Sequence, residues 1–347
     1  MRSERWLVLS DGARPTEDIY FLESAAPLLR AREIDAGRLD MRGWRGWLAK
    51  KLMRRMLGVN LIICRSLPMR WITWLQAHRE QFGRMVYLVD DDIEAAANDI
   101  QLPEHYCQRM AGIARRQSDL LTLCDEVVVS SEQLAKRFHG RHGSVSVLTP
   151  PLIASLPTRV HLEHPPSQRS PWRIGFYGTR AHLNDLEHIA PGLENIQRQR
   201  EDTALEIMLG QYTPEALCDL PRVTTPEPLA WPAFRRYQAN HQVHIGLAPL
   251  MDSPFNQGKS FIKFLDIAAM GGVGVYSNRY PYSEVVCHGE NGLLVDDDPY
   301  AWQAAIEELL DNPVAAAEMA RAAAADAKRM GSPHHAADFW QRLGEKW

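Results

Sequence analysis

The chain has 347 residues, 45% of them hydrophobic and 24% charged, and a formal net charge of −4. That balance excludes a disordered or fibrous protein and gives room for about two domains of ordinary size. No apolar run reaches the ~18 residues of a membrane span, and the five scattered cysteines form no C-x-x-C pair, which predicts neither a disulfide framework nor a zinc knuckle. The run at 6–9 is too short for a signal-peptide core, so a cytoplasmic protein is expected.

Short apolar runs alternate with helical patterns from the start, which predicts a parallel sheet with crossover helices. In the first half, strands are expected at 6–10, 60–64, 85–89, 126–130 and 144–148, with helices at 16–31, 46–57, 71–82, 105–123 and 132–138. The segment 41–56 carries six positive charges and no acidic residue, and Trp44, Trp47, Leu48, Leu52 and Met56 recur at helical spacing. Such a helix suits an anionic membrane surface, which would make the protein peripheral to the inner face of the cell membrane. It would equally suit packing on its own domain with a solvated basic rim. Nucleic acid is not an expected partner, because the patch is isolated on an acidic chain.

A Pro- and Ser-rich stretch then predicts a linker at 156–171. Alternation restarts with strands at 173–177, 204–209, 243–247 and 273–276 and an alanine-rich helix at 314–327. The expected organisation is α/β. A first doubly wound, Rossmann-like domain at 1–155 faces a second at 172–332 across a cleft, and residues 333–347 form a last helix. Ligands bind such sheets beyond the carboxyl ends of the strands.

The segment 248–272 carries the chemistry. A loop rich in Pro, Asn and Gly leads to Ser260, an expected N-cap for a helix that Gly271 and Gly272 end. Ser260, Lys263 and Asp266, spaced three apart, form a polar stripe on an otherwise apolar helix. A helix amino end with an ammonium one turn in suits a diphosphate, and Asp266 suits a sugar diol. The same spacing would also fit a surface ion pair.

This helix, with Val-Gly-Val-Tyr-Ser-Asn at 273–278, Pro-Tyr-Ser-Glu at 281–284, His-Gly-Glu-Asn-Gly-Leu-Leu-Val at 288–295 and Trp302, resembles the retaining glycosyltransferases of GT-B fold, family 4. The likeness extends over about residues 172–311. It includes Gly178, His182, Asp185 and Leu186, which are similar to the G-x-x-x-H-x-x-D-L opening of the second domain in a bacterial glycan-biosynthesis branch. The resemblance implies a sugar transferase in which the second domain binds a nucleotide-sugar donor and the first a glycan or lipid-linked acceptor, with no cofactor. Lys263, the catalytic cation, and Lys259 and Ser260 would meet the donor phosphates, while Asp266 would hold the ribose. Tyr282 and Glu284 would line the nucleotide, and Gly178, Thr179 and His182 the cleft. The family's Glu-x7-Glu motif has Gly258 in place of its first glutamate. That departure keeps two alternatives in view, a weakened binding subunit and a nucleotide-sugar epimerase. The last helix would return to the first domain.

On the acceptor side, Asp11 and Gly12 follow the first strand, and Asp90, Asp91 and Asp92 follow the strand at 85–89. Asp92 or a neighbour is expected to cap the next helix, with the others solvated, and Asp92 is the candidate base for the acceptor. Asp185 is expected to cap the helix that follows it, and Asp296, Asp297 and Asp298 read as an N-cap cluster. The thirteen histidines show no H-x-x-x-H or H-E-x-x-H pair, so no metal site is expected.

Overall fold

The computed structural model describes residues 5–42, 51 and 57–345. The helix expected at 46–57, and with it nearly all of the basic segment, lies outside them. Six parallel strands, β1 (Arg5–Ser10), β2 (Asp35–Asp40), β3 (Asn60–Cys64), β4 (Met85–Val89), β5 (Glu126–Val129) and β6 (Val145–Val147), form a first sheet in the order β2-β1-β3-β4-β5-β6. β3, β4 and β5 are buried along their whole length, so their sequences are unbroken apolar runs rather than alternations. Leu61, Ile63, Tyr87, Val89 and Val127 face one layer of helices, while Ile62, Cys64, Val86, Leu88 and Val128 face the other.

A second parallel sheet has β7 (Trp172–Phe176), β8 (Thr203–Ile207), β9 (Val223–Thr224), β10 (Ile245–Ala248), β11 (Val273–Ser277) and β12 (Leu293–Val295), in the order β12-β11-β10-β7-β8-β9. Each order reverses direction once, between β1 and β3 and between β7 and β10. At such a switch point neighbouring crossovers part and leave a crevice at the carboxyl ends.

Several expectations need correction. β2 was not expected, because Asp-Ala-Gly-Arg-Leu-Asp is polar; as an edge strand it is mostly half-exposed and pairs only with β1. The helix expected over 16–31 is a four-residue turn Arg14–Glu17, a π-helix Asp18–Leu22 and a helix Ala25–Ala31. Glu17 is fully buried there, accepting from Ser10 Oγ at 2.6 Å and ion-paired with Arg38 Nε at 2.7 Å, which ties the wider turn to β1 and β2. Of the three aspartates at 296–298, only Asp298 caps its helix, while Asp297 pairs with Arg279 and Asp296 accepts from Asn278.

The helix Pro333–Glu345 lies against the first sheet rather than the second. Trp340 is fully buried between Trp6 and Phe21, with ring centroids 5.3 and 5.2 Å away, and donates Nε1–H to Tyr20 O at 2.8 Å. The stretch at 156–171 is no free tether, since Leu162 is buried in the second core and His164 O accepts from Trp172 Nε1 at 2.9 Å.

His244, just before β10, stacks on Trp172 at 5.2 Å, and its Nδ1 accepts the backbone N–H of Arg173 at 2.9 Å. Burial, then His161 and Arg173, lower its pKa to about 3. A base with a lowered folded pKa contributes stability that is complete above its unfolded value of about 6.5 and is lost as pH falls from there toward about 3. Thermal melts at pH 7 and pH 5 are therefore expected to differ more in the wild type than in His244→Gln, whose amide oxygen accepts the same N–H without titrating. Equal slopes would contradict this.

Candidate functional site

The second domain's switch point supplies one wall. β7 runs into Tyr177, Gly178 and Thr179, a 3-10 turn Arg180–His182 and the helix Leu183–Gln199. A Cβ at Gly178 would stand 2.5 Å from the Phe176 ring, so only glycine fits this turn. β10 runs into a loop, a short helix Pro254–Gln257 capped by Ser253 and the helix Ile262–Ala269. The ammonium of Lys263, one residue into that helix, donates to Tyr177 O at 2.6 Å and lies 3.2 Å from Asp266 Oδ2. Asp266 Oδ1 accepts from Gln238 Nε2 at 2.9 Å. Lys263 and Asp266 therefore share one face and close on the carboxyl end of β7.

Ser260 is not the N-cap. Phe261 holds that position, no side chain caps the helix, and Ser260 is buried with Oγ 3.5 Å from Tyr20 Oη of the first domain. Tyr282 is buried against Tyr276, and burial raises its pKa, with the nearby charges of Asp185 and Asp266 adding to the rise. Glu284 is exposed, and no ion pair joins it to the others among the described residues.

Asp185 also departs from its expected role. It sits in the first turn of its helix and is buried. Its carboxylate accepts from His182 Nδ1 at 2.8 Å, Met251 N at 2.7 Å and Asn256 Nδ2 at 3.1 Å. It joins the β7 loop to the β10 loop.

The first domain supplies the facing wall. Gly12 has φ +102°, and a Cβ there would meet Arg42 at 3.1 Å. Burial raises the pKa of Asp11 beside it, against the opposing pull of Arg116, Ser66 and Arg42. Asp90 and Asp91 are not solvated. Asp90 accepts from Thr16 Oγ1 at 2.8 Å, and Arg65 binds both carboxylates from the end of β3. Arg65 has φ +58°, a costly backbone for an arginine and one met most often where function constrains a residue.

Lys259, expected beside the donor phosphates, reaches across instead. Its ammonium is 2.7 Å from Asp91 Oδ1 and 3.9 Å from the Phe255 ring centroid. Burial works to raise the pKa of Asp91, but Lys259 and Arg65, with His182 behind them, hold it well below the usual carboxylate range. Asp92 is the N-cap of Ile93–Asn98, accepting from Ala95 N at 2.9 Å, and its other oxygen is 3.3 Å from Arg137. Burial raises the pKa of Asp92 against the lowering pull of the Ala95 N–H and of Arg137. A Cβ at Gly258 would meet Asp92 Cβ at 3.0 Å, and Gly258 O accepts from Ser131 Oγ at 3.0 Å. The first domain thus occupies the space that a side chain at 258 would need.

Sequence reasoning passed over Arg65, Trp231 and Gln238. Arg65 directly follows β3, as Asp90 and Asp91 follow β4, and that shared level in a parallel sheet was the available signal. Trp231 donates Nε1–H to Asp18 at 2.8 Å across the domains. Ile19, Ile153, Trp231, Gln238 and Asp266 line a small recess at this junction.

No family model matches the chain, and no curated protein does. Solved structures do. Sucrose-phosphate synthase from Thermosynechococcus elongatus aligns with TM-score 0.69 at 15% identity, covering 99% of this chain and 98% of that one. Anabaena Alr3699/HepE, in complex with UDP and glucose, aligns with TM-score 0.63 at 14% identity over 99% and 100% of the two chains. A glycosyltransferase from Rickettsia africae aligns with TM-score 0.64 at 11% identity over 100% and 99%. At these identities the likeness shows the fold: two Rossmann-like α/β domains arranged as in the GT-B glycosyltransferases.

Proposed function

We propose that this protein is a glycosyltransferase that moves a sugar from a nucleotide-sugar donor, held by the second domain, to a glycan or lipid-linked acceptor on the first. The observation that carries the reading is Lys263, whose ammonium lies at the amino end of the helix Ile262–Ala269 and 2.6 Å from the carbonyl that ends the β7 crossing. As the glycosidic bond breaks, negative charge grows on the leaving diphosphate. A fixed ammonium with free helix N–H groups stabilises that charge in the transition state more than in the ground state. Protein groups would then carry the leaving-group charge without a metal, and the resemblance to the retaining glycosyltransferases implies transfer with retention. Asp266, one turn in, would accept ribose hydroxyls in place of Gln238. Asp11, Gly12 and Asp90 border the acceptor side. Positive charge in the segment 41–56 supports an anionic membrane surface as the place where a lipid-linked acceptor is met.

A thermal-shift panel of UDP-, GDP-, ADP-, CMP- and dTDP-sugars tests the reading. One base class is expected to raise Tm, and to go on raising it with the logarithm of ligand concentration above Kd, and incubation with acceptor is expected to give acceptor-dependent product. A flat panel would overturn the proposal, and sugar inversion without acceptor would favour an epimerase.

A further inference from the structure

Within the site, the pair His182 and Asp185 has a geometry that the charge argument above does not use. Asp185 is 3% exposed and satisfies donors from three segments: the ring of His182, the backbone of Met251 and the amide of Asn256. An ionised carboxylate only accepts hydrogen bonds, so the ring nitrogen facing it, Nδ1, carries a hydrogen. A neutral imidazole has one such nitrogen, which leaves the lone pair on Nε2. Nε2 has no hydrogen-bond partner among the described residues, and 19% of the side chain is open. The ring ends the 3-10 turn Arg180–His182 and stands at the N-cap of the helix Leu183–Gln199. A buried carboxylate committed on one side to a backbone N–H and an amide cannot rotate to release the ring without leaving those donors unpaired.

We propose that Asp185 is a positioning residue that holds His182 with its hydrogen on Nδ1, so that Nε2 offers a lone pair to a hydroxyl of the donor's sugar. That the hydroxyl belongs to a nucleotide-bound sugar rests on the function proposed above; the orientation of the ring does not. In this arrangement His182 selects for a hydroxyl on the transferred sugar and adds nothing to diphosphate neutralisation, which remains the work of Lys263.

Long-range ¹H–¹⁵N spectra of the full chain, labelled at histidine and recorded at alkaline pH, read the ring directly. The His182 signal is assigned by its loss in His182→Gln. The wild type is expected to show a protonated Nδ1 and a bare Nε2. Asp185→Asn places an amide beside the ring and is expected to move the hydrogen to Nε2 in part or whole, as occurs when a carboxylate partner becomes an amide. Asn256→Ala, which removes only the loop bond, is expected to leave the ring form unchanged. A wild-type ring protonated on Nε2, or a ring indifferent to Asp185→Asn, overturns the positioning role.

Adding the nucleotide sugar selected by the thermal panel is expected to move the Nε2 signal, whereas the matching nucleoside diphosphate alone is not. With that sugar, His182→Gln is expected to lower kcat/KM about ten- to hundredfold, and Asp185→Asn to lower it less, both mainly through a raised KM. An Nε2 signal that ignores a bound nucleotide sugar overturns the hydroxyl contact. If no nucleotide sugar binds at all, the proposed function and the hydroxyl contact fall together, and the ring assignment is still decided by the ligand-free spectra.

Discussion

Replacing Lys263 by alanine is expected to lower kcat/KM for sugar transfer by about 10²–10³ while the protein stays folded. The magnitude is that of removing one preorganised donor from a developing anion. The loss should fall mainly on kcat, because the leaving group's charge is largest when the bond is breaking. Folding should survive because, among the described residues, Tyr177 O is the one backbone group that the ammonium holds, and Asp266 keeps Gln238 as a partner. Lys263→Met, which retains the hydrocarbon stem, separates charge from packing. Steady-state kinetics with the panel's nucleotide sugar, together with circular dichroism, check both. A variant with near-normal kcat/KM would remove Lys263 from the mechanism.

Trp340→Ala is expected to be the most destabilising single change outside the site. Its ring fills a closed space between Trp6 and Phe21, and its N–H satisfies Tyr20 O. Truncating a fully buried tryptophan costs about 3–5 kcal/mol, a large part of the ~5–15 kcal/mol that a domain possesses. Calorimetry should show the transition that includes the first sheet falling by about 10 °C or more. Phe339→Ala, at a partly buried ring beside it, should cost clearly less. Equal small shifts in both variants would refute the assigned packing.

Sheet composition was legible where burial is two-sided. The runs at β3, β4 and β5 are apolar because helices cover both faces, so chain and fold agree there nearly residue by residue. β2 escaped because it is an edge strand, half-exposed and polar in sequence, and β9 and β12 because two and three residues are too short a run to mark a strand. Lys263 and Asp266 were legible because helical spacing fixes which residues share a face. Asp90 and Asp91 were misread as solvated, since their partners Arg65 and Lys259 are 25 and 168 positions away and no local pattern records such a pairing. Ser260 was misread for the opposite reason: its local pattern suited a cap, but a contact with Tyr20 of the other domain decided its place.

The position of the last helix has a consequence for how the molecule is made. Helix Pro333–Glu345 completes the layer over Trp6, Val8 and Phe21, so β1 lacks part of its covering until a segment on the far side of the whole second domain has left the ribosome. Domains ordinarily mature in the order of synthesis, but here the second can close while the first still shows an apolar face. The nascent chain therefore carries a sticky surface until that helix has been made, and deleting residues 333–345 would injure the first sheet rather than the second.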